Sequence, residues 1–328
     1  MTSTEPSNRP QARLSRELRN WYTAGAYLEV QGHRIFYRDS HLQNDQQQED
    51  LQQAGLEQKE LEQEKDVILL IHGFPTAGWD WHHVWGPLSE NYRLISIDML
   101  GFGFSDKPLD YHYTIHAQAD LIEAVLSRLG ISKAHVLAHD YGDTVAQELA
   151  ARHLENPTSP LRMITLTLLN GGLFPEQHRA RFIQKLLTSP VGPLISRLAT
   201  QATFAKNLNA VFGSDTQLNA QALDDLWQLF SFNDGHQKSH RMLHYMADRR
   251  QHRERWVGAL QKLDVPLLLI NGTEDPVSGG HMADYYETLI PDPAVVRLEG
   301  IGHYPQLEAP QAVLQAFLPY VRAVSQKK

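Results

Sequence analysis

Val136-Leu137-Ala138-His139-Asp140-Tyr141-Gly142-Asp143-Thr144-Val145-Ala146 is the stretch that decides the fold. An apolar run over residues 134–138 is typical of a buried strand, and an amphipathic helix is predicted to begin immediately afterwards, at Gly142. The small residues Ala138 and Gly142 stand two positions on either side of Asp140 and let the chain turn sharply there. This is the pattern of a nucleophile elbow, a tight strand-to-helix turn that exposes its central side chain.

The centre of this turn is Asp140, at a position that serine usually occupies. A carboxylate is ionised at neutral pH and needs no base to make it nucleophilic. Its attack on an sp3 carbon would form an ester on the protein, which water must then cleave. Aspartate is also a common N-cap of helices, so Asp140 taken alone could have only a structural role.

The composition bounds the class of protein. With 328 residues and 42% hydrophobic residues, we expect one large domain or a domain with an inserted lobe. The chain has no cysteine, which excludes disulfides and thiolate sites, and its net charge of -8 argues against nucleic acid or an anionic membrane as partner. The first 20 residues lack the apolar core of a signal peptide, and no apolar run is long enough to span a membrane. We therefore expect a cytoplasmic enzyme.

Strand-like apolar runs alternate with predicted helices along most of the chain. The predicted strands cover residues 27–30, 34–37, 67–71, 93–98, 134–138, 163–169, 265–270 and 295–298. The first two form a hairpin, and the alternation predicts an α/β fold whose mostly parallel central sheet carries helices on both faces.

The alternation is interrupted twice, which predicts the domain organisation. Residues 173–263 are helical throughout and indicate a helical cap inserted into a core made of 25–172 and 264–328. Residues 41–66 are rich in Gln and Glu and indicate a solvated insertion, either disordered or a polar helix. Residues 1–24 are interpreted as a disordered or loosely helical lead-in.

A second motif, His72-Gly73-Phe74-Pro75, follows the predicted strand 67–71. Gly73 allows a turn that can direct backbone N–H groups towards the end of the sheet. The Phe74 and Tyr141 N–H groups are candidates for an oxyanion hole, which stabilises negative charge during a reaction. The alternative is that this motif is only a turn.

Two further motifs supply an acid and a base at strand ends, where an open α/β sheet binds its ligands. Asp275, after the strand 265–270, is placed to orient a histidine, although Asp-Pro is also a common turn dipeptide. The preceding strand could carry the acid instead, but Asn170 stands there. His303 follows the last strand in a Gly-flanked loop, and the order Asp140, Asp275, His303 matches nucleophile, acid and base. His303 would activate the water that cleaves the ester, with its tautomer held by Asp275.

With all four motifs in order, the chain resembles the α/β-hydrolase superfamily. It is most similar to the branch with an aspartate nucleophile, the epoxide hydrolases and haloalkane dehalogenases, which carry a helical cap. The resemblance runs from about Gly25 to the C-terminus and omits the insertion. It implies a hydrolase that acts on an apolar small molecule, with no metal and no organic cofactor.

The sequence departs from both families of that branch. Haloalkane dehalogenases typically have Trp after the nucleophile and often Asn in the His-Gly-x-Pro turn, where this chain has Tyr141 and Phe74. Epoxide hydrolases typically use two cap tyrosines, and residues 173–263 contain one, Tyr245. Candidates for substrate contact are Tyr245, Trp227 and Phe182, although aromatic residues of this kind also form the core of a lid.

One favoured function and two sets of alternatives stay open. Epoxide hydrolysis through an Asp140 ester is favoured, because the side chains that would hold a halide are missing. The first alternative is an ester or acyl hydrolase, or a haloalkane dehalogenase. The second is a non-catalytic ligand-binding or interaction protein on a hydrolase scaffold, because fold alone does not define function. We expect a small molecule as partner, rather than nucleic acid or a membrane, and the sequence carries no signal for an oligomeric state.

Overall fold

Eight strands form one sheet in the computed structural model, which describes residues 14–42, 65–156 and 158–325. They are β1 Ala26–Val30, β2 His33–Asp39, β3 Val67–Ile71, β4 Arg93–Ile97, β5 Lys133–His139, β6 Arg162–Leu169, β7 Leu267–Gly272 and β8 Ala294–Leu298. Their order in the sheet is β1-β2-β4-β3-β5-β6-β7-β8. The β1–β2 and β2–β4 pairs are antiparallel and the other five pairs are parallel, which confirms the predicted sheet.

Fourteen α-helices connect and cover these strands in the described part of the chain. The first seven are α1 Arg16–Thr23, α2 His82–Ser89, α3 Ile115–Arg128, α4 Tyr141–Glu155, α5 Phe182–Leu187, α6 Gly192–Arg197 and α7 Gln201–Asn209. The others are α8 Ala220–Ser231, α9 Gly235–Met242, α10 Tyr245–Gln251, α11 Arg253–Lys262, α12 Gly280–Leu289, α13 Pro305–Glu308 and α14 Pro310–Ser325. Short 3-10 helices occupy Gly78–Trp81 and Phe232–Asp234.

The sheet is buried on both faces, as a parallel sheet of this kind requires. Leu69 and Ile71 of β3 pack into one hydrophobic core with residues of α3, α4 and α11. Ile68 and Leu70 point the other way, into a second core with residues of α1, α2 and α14. The continuous apolar run of β3 therefore supplies both cores, since successive side chains of a strand face opposite sides.

The structure adds detail to the sequence-based predictions in the lead-in and at the start of β7. Residues 16–23, within the predicted lead-in, form α1, whose N-cap Ser15 accepts a hydrogen bond from the Leu18 N–H. Leu18 and Trp21 are buried, and Trp21 packs edge-on against Trp85 with ring centroids 5.0 Å apart. β7 begins two residues later than predicted, after Pro266, because proline has no N–H to donate to a ladder.

The chain between β6 and β7 is helical and contains α5 to α11. The domain boundaries at residues 24, 172 and 263 stay predictions, and most of the predicted insertion 41–66 lies outside the described residues. None of the described helices is long and apolar enough to cross a membrane. The parallel strands bring their carboxyl ends to one edge of the sheet, and the loops after β3, β5, β6, β7 and β8 meet there.

Candidate active site

Asp140 lies in a strained turn between β5 and α4. Its backbone has φ 49° and ψ -105°, a region that non-glycine residues rarely adopt. Its carboxylate makes no capping hydrogen bond to α4, so the structure does not support the N-cap alternative. A Cβ on Gly142 would lie 2.5 Å from the Ile71 carbonyl oxygen, so only glycine fits where α4 passes β3. The turn therefore has the geometry of a nucleophile elbow.

The two oxygens of the Asp140 carboxylate have different surroundings. Oδ2 accepts a hydrogen bond of 3.1 Å from the Phe74 backbone N–H. Oδ1 lies 3.8 Å from His303 Nε2 and 3.9 Å from a guanidinium nitrogen of Arg249. Burial alone would raise the pKa of Asp140, but the neighbouring His303 and then Arg249 outweigh it and hold this pKa below its usual value. Asp140 is therefore an ionised carboxylate at neutral pH.

His303 lies between two carboxylates. Its Nδ1 is 2.7 Å from Asp275 Oδ2, so this nitrogen donates and Nε2 faces Asp140. Burial lowers the pKa of His303, but the charges of Asp275 and Asp140 outweigh burial and raise it well above its usual value. The two carboxylates therefore favour the protonated form of the His303 imidazole in the free site.

Asp275 is held by donors from its own loop and from β6. Its Oδ2 accepts hydrogen bonds from Asn170 Nδ2 at 3.1 Å and from the Ser278 hydroxyl at 2.8 Å. Its Oδ1 accepts one from the Val277 N–H at 2.7 Å. Burial raises the pKa of Asp275, but the His303 charge, followed by these hydrogen bonds, lowers it overall. Asn170, which stands at the alternative position for the acid, thus orients Asp275.

Two buried histidines fix the loops around this group. His139 donates from Nε2 to the His303 carbonyl oxygen at 2.7 Å, and burial, followed by the His303 charge, lowers the pKa of His139 to about 3. His72 donates from Nδ1 to the Gly73 carbonyl and accepts from the Met99 N–H at Nε2. Burial lowers the pKa of His72 to about 4, so both rings are neutral and act as hydrogen-bonding supports.

Arg249 of α10 is a site residue that the sequence did not reveal. Its Nε donates to the Thr144 hydroxyl at 2.7 Å, and its Nη2 donates to the Asp140 carbonyl oxygen at 3.1 Å. The guanidinium also lies 4.5 Å from the centroid of the Tyr245 ring and is only 2% exposed. In the sequence it stands between Asp248 and Arg250, and such charged runs usually form solvated helix faces.

The two glycines after β6 make room for charged groups behind the elbow. A Cβ on Gly171 would lie 2.2 Å from Asp143 Oδ2, and one on Gly172 would lie 2.2 Å from Arg249 Nη1. Asp143 is fully buried, and burial followed by the charge of Asp140 raises its pKa well above the usual value. Burial and the nearby charge of Asp140 therefore favour the neutral form of Asp143.

A cavity of about 310 Å3 opens over Asp140 and His303. The apolar part of its wall comes from the loops after β3 and β7 and from the segment that contains α5 to α8. The apolar lining residues are Phe74, Pro75, Ile183, Leu187, Ile195, Leu198, Ala199, Phe204, Leu208, Val211, Phe230 and Val277. A site with one charged end and apolar walls suits a small apolar molecule.

The structure brings Asp140, Asp275, His303 and Phe74 together, but it does not bring the three predicted substrate contacts to the cavity wall. Tyr245 is fully buried and packs edge-on against Tyr141, with ring centroids 4.9 Å apart. Trp227 stands behind the wall, with its ring centroid 5.6 Å from that of Phe204. Phe182 is 79% exposed. All three are aromatic residues of the helical segment, and sequence alone does not tell which way each helix faces.

A family model of the alpha/beta hydrolase fold matches residues 66–310, and the chain belongs to this family. It is 37% identical to the mesoderm-specific transcript homolog protein of Bos taurus, over 96% of this chain and 90% of that protein. This confirms the resemblance to that protein, which the sequence suggests through the segments 72–76, 100–108, 139–143, 170–172, 255–260 and 303–308.

Two solved structures share the fold at lower identity. The haloalkane dehalogenase DbeA from Bradyrhizobium elkani superposes with a TM-score of 0.71 at 21% identity, over 93% of this chain and 99% of that one. The epoxide hydrolase CorEH superposes with a TM-score of 0.69 at 18% identity, over 92% and 99%. At these identities the likeness concerns the fold alone.

Proposed function

We propose that this protein hydrolyses an apolar small molecule of the epoxide class through an ester on Asp140. The observation that carries the proposal is the hydrogen bond from the Phe74 N–H to Asp140 Oδ2. In this mechanism Oδ2 becomes the carbonyl oxygen of the ester and then the oxyanion when water attacks. The Phe74 N–H is therefore already bonded to the oxygen that carries the negative charge in the second step. The helical segment 173–263 serves as the cap that encloses the substrate.

In the first step, Asp140 Oδ1 attacks an sp3 carbon of the epoxide, and the bond between that carbon and the ring oxygen breaks. The alkoxide takes a proton from His303, which carries one between its two carboxylates and presents Nε2 to Asp140. Neither nearby tyrosine replaces His303 as the proton donor. Tyr245 lies behind the elbow, and the hydroxyl of Tyr304 donates to the Phe74 carbonyl oxygen at 3.3 Å. This proton transfer also leaves His303 neutral, as the next step requires.

In the second step, neutral His303 takes a proton from water, and the oxygen of that water attacks the ester carbonyl. The Phe74 N–H stabilises the oxyanion, and the Tyr141 N–H is the predicted second donor. When the intermediate collapses, the new carboxylic acid gives its proton to the departing alkoxide. Asp140 is again a carboxylate and His303 is again protonated, so epoxide and water have become a diol.

The alternatives receive less support from the same contacts. For direct water attack on a substrate ester, the Phe74 N–H would have to hold the substrate oxygen, but it is bonded to Asp140. For dehalogenation, a side-chain donor at residue 141 would have to reach the halide. The Tyr141 ring is instead buried against Phe102 and Tyr245.

A single-turnover reaction in H2(18)O tests the ester mechanism. With enzyme in excess over styrene oxide, we expect the first product to contain no heavy oxygen, because its new oxygen comes from Asp140. The peptide that contains Asp140 is expected to gain about 2 Da, because water supplies the replacement oxygen. The measurement is mass spectrometry of the digested enzyme and of the diol. Enzyme without substrate serves as the control, and label in the first product with none on Asp140 would refute the ester.

The two steps are also expected to differ in their pH dependence. Ester formation needs ionised Asp140, whose pKa is lowered, and protonated His303, whose pKa is raised, so its rate stays flat from about pH 5 to 8. Ester hydrolysis needs neutral His303, whose pKa falls once esterification removes the Asp140 charge. Its rate therefore rises with pH and levels off above that lower pKa. Rapid-quench mass spectrometry measures both rates, and identical profiles for the two steps would contradict the proposal.

A further inference from the structure

The helices α5 and α6 carry an exposed apolar surface. Of the six large hydrophobic side chains exposed in the described residues, four are Phe182 at 79%, Val191 at 48%, Leu194 at 58% and Leu198 at 64%. Val191 and Leu198 flank α6 and Leu194 lies within it, and the three are spaced three and four residues apart, as on one side of a helix. We call these four side chains the apolar face.

The apolar face borders the mouth of the cavity over Asp140. Leu198 is 64% exposed and also lines that cavity. Arg181 and Ile183, the residues on either side of Phe182, line the cavity as well. A surface that covers the apolar face would therefore also cover the entrance through which an apolar molecule reaches the site.

The same segment is positively charged in a chain that is negative overall. Residues 177–214 contain five basic residues and no Asp or Glu, whereas the whole chain has a net charge of -8. The basic residues are Arg179, Arg181, Lys185, Arg197 and Lys206. Among the described residues, none of them forms an ion pair with a carboxylate. Their charges are therefore available to an outside partner.

A second cavity, of about 440 Å3, adjoins this segment, and Leu187 lines both cavities. Two cationic side chains, Lys185 and Arg250, and two histidines, His240 and His244, line it, and no carboxylate does. Its remaining wall includes Pro190 and Pro193, next to Val191 of the apolar face. Anionic groups are thus favoured on both sides of α5.

From these observations we propose that the apolar face docks on an anionic lipid bilayer. Its four apolar side chains enter the boundary between headgroups and acyl chains, and the basic residues around them bind lipid phosphates. This proposal differs from the expectation that the net charge of -8 argues against an anionic membrane. The net charge is a sum over the whole chain, and it does not show that the acidic residues lie outside this segment. Docking does not depend on the reaction proposed for Asp140, since binding alone tests it.

The test is cosedimentation of the full chain with vesicles of phosphatidylglycerol and phosphatidylcholine, and with vesicles of phosphatidylcholine alone. We expect binding to the anionic vesicles that weakens as salt rises. The double variant Val191→Asp/Leu194→Asp is expected to lose at least about tenfold in affinity. Neither residue lines the cavity over Asp140. Leu109→Asp is the matched control, because Leu109 is 55% exposed and lies outside the apolar face, and it should bind as the wild type does.

A second variant keeps the test valid if the first fails to fold. Arg197→Glu changes an exposed side chain without a described ion pair, and it should weaken binding to anionic vesicles and reduce its dependence on salt. The proposal is overturned if wild type does not bind the anionic vesicles, or if it binds both kinds equally at every salt concentration. It is also overturned if light scattering shows a dimer that Val191→Asp/Leu194→Asp dissociates, because the face would then contact a second copy.

Discussion

Replacing His303 with alanine is expected to stop turnover and to leave an alkyl ester on Asp140. The variant lacks the group that activates water, so hydrolysis of the ester should slow by at least about a thousandfold. Asp140 remains ionised, because Arg249 and the Phe74 N–H still face its carboxylate. Intact-protein mass spectrometry, after incubation with styrene oxide, a bromoalkane and a nitrophenyl ester, measures the adduct. Its mass identifies the class of substrate.

The loss of the proton donor also slows the first step, so the incubation must be long enough for the adduct to accumulate. A strained epoxide opens without full protonation at a lower rate, and the ester that forms is not cleaved. The Asp140→Asn/His303→Ala double variant should show no adduct, which identifies the nucleophile. His281→Ala is a matched control that removes a histidine contacting the Gln177 carbonyl, and it should keep wild-type turnover.

Three other outcomes would contradict the ester mechanism. Turnover that survives in His303→Ala would show that another group activates water. An adduct that persists in the double variant would place the nucleophile elsewhere. A folded His303→Ala variant without adduct, whose wild-type parent cleaves only the nitrophenyl ester, would favour the acyl hydrolase.

Replacing Arg249 with methionine is expected to destabilise the protein by about 3 kcal/mol. The guanidinium is buried, and its loss leaves the Asp140 carbonyl oxygen and the Thr144 hydroxyl without their donor. The charge of Arg249 also helps to lower the pKa of Asp140, so that pKa should rise in the variant. Urea unfolding measures the free energy of unfolding. The pKa of Asp140 is read from the low-pH limb of the pH profile of the ester-formation rate.

Arg253→Met is the matched control for this substitution. Arg253 begins the next helix, and its side chain is 32% exposed and pairs with Glu176 at the surface. Exposed ion pairs contribute about 0 to 1 kcal/mol, so this variant should unfold nearly as the wild type does. Equal losses in the two variants would show that Arg249 has no special role at the elbow. A shifted acid limb only in Arg249→Met would separate its electrostatic effect from a loss of packing.

Arg249 also connects the helical segment to the elbow. It lies on α10, yet it holds the carbonyl oxygen of Asp140, the residue whose backbone is strained. Removal or rotation of α10 would therefore loosen the turn that presents the proposed nucleophile. This explains how a change in the proposed cap could alter the reaction without any contact with the substrate.

The sequence by itself located Asp140, Asp275, His303 and Phe74. Each follows a strand in a short loop that contains glycine or proline, so the local pattern is specific. Since the carboxyl ends of parallel strands meet at one edge, their proximity could be predicted without coordinates. The sheet could also be predicted from the sequence, because a continuous apolar run such as 67–71 is typical of a strand in a parallel sheet that is covered on both faces.

The tertiary structure alone decided what surrounds these residues. Arg249 reaches Asp140 across 109 positions of sequence, and nothing local distinguishes it from the solvated arginine beside it. Trp227 and Phe182 were equally good candidates for the cavity, but one lies behind its wall and the other faces outward. The reason is physical: strand ends are constrained by the backbone, whereas the face that a helix buries depends on the helices packed against it.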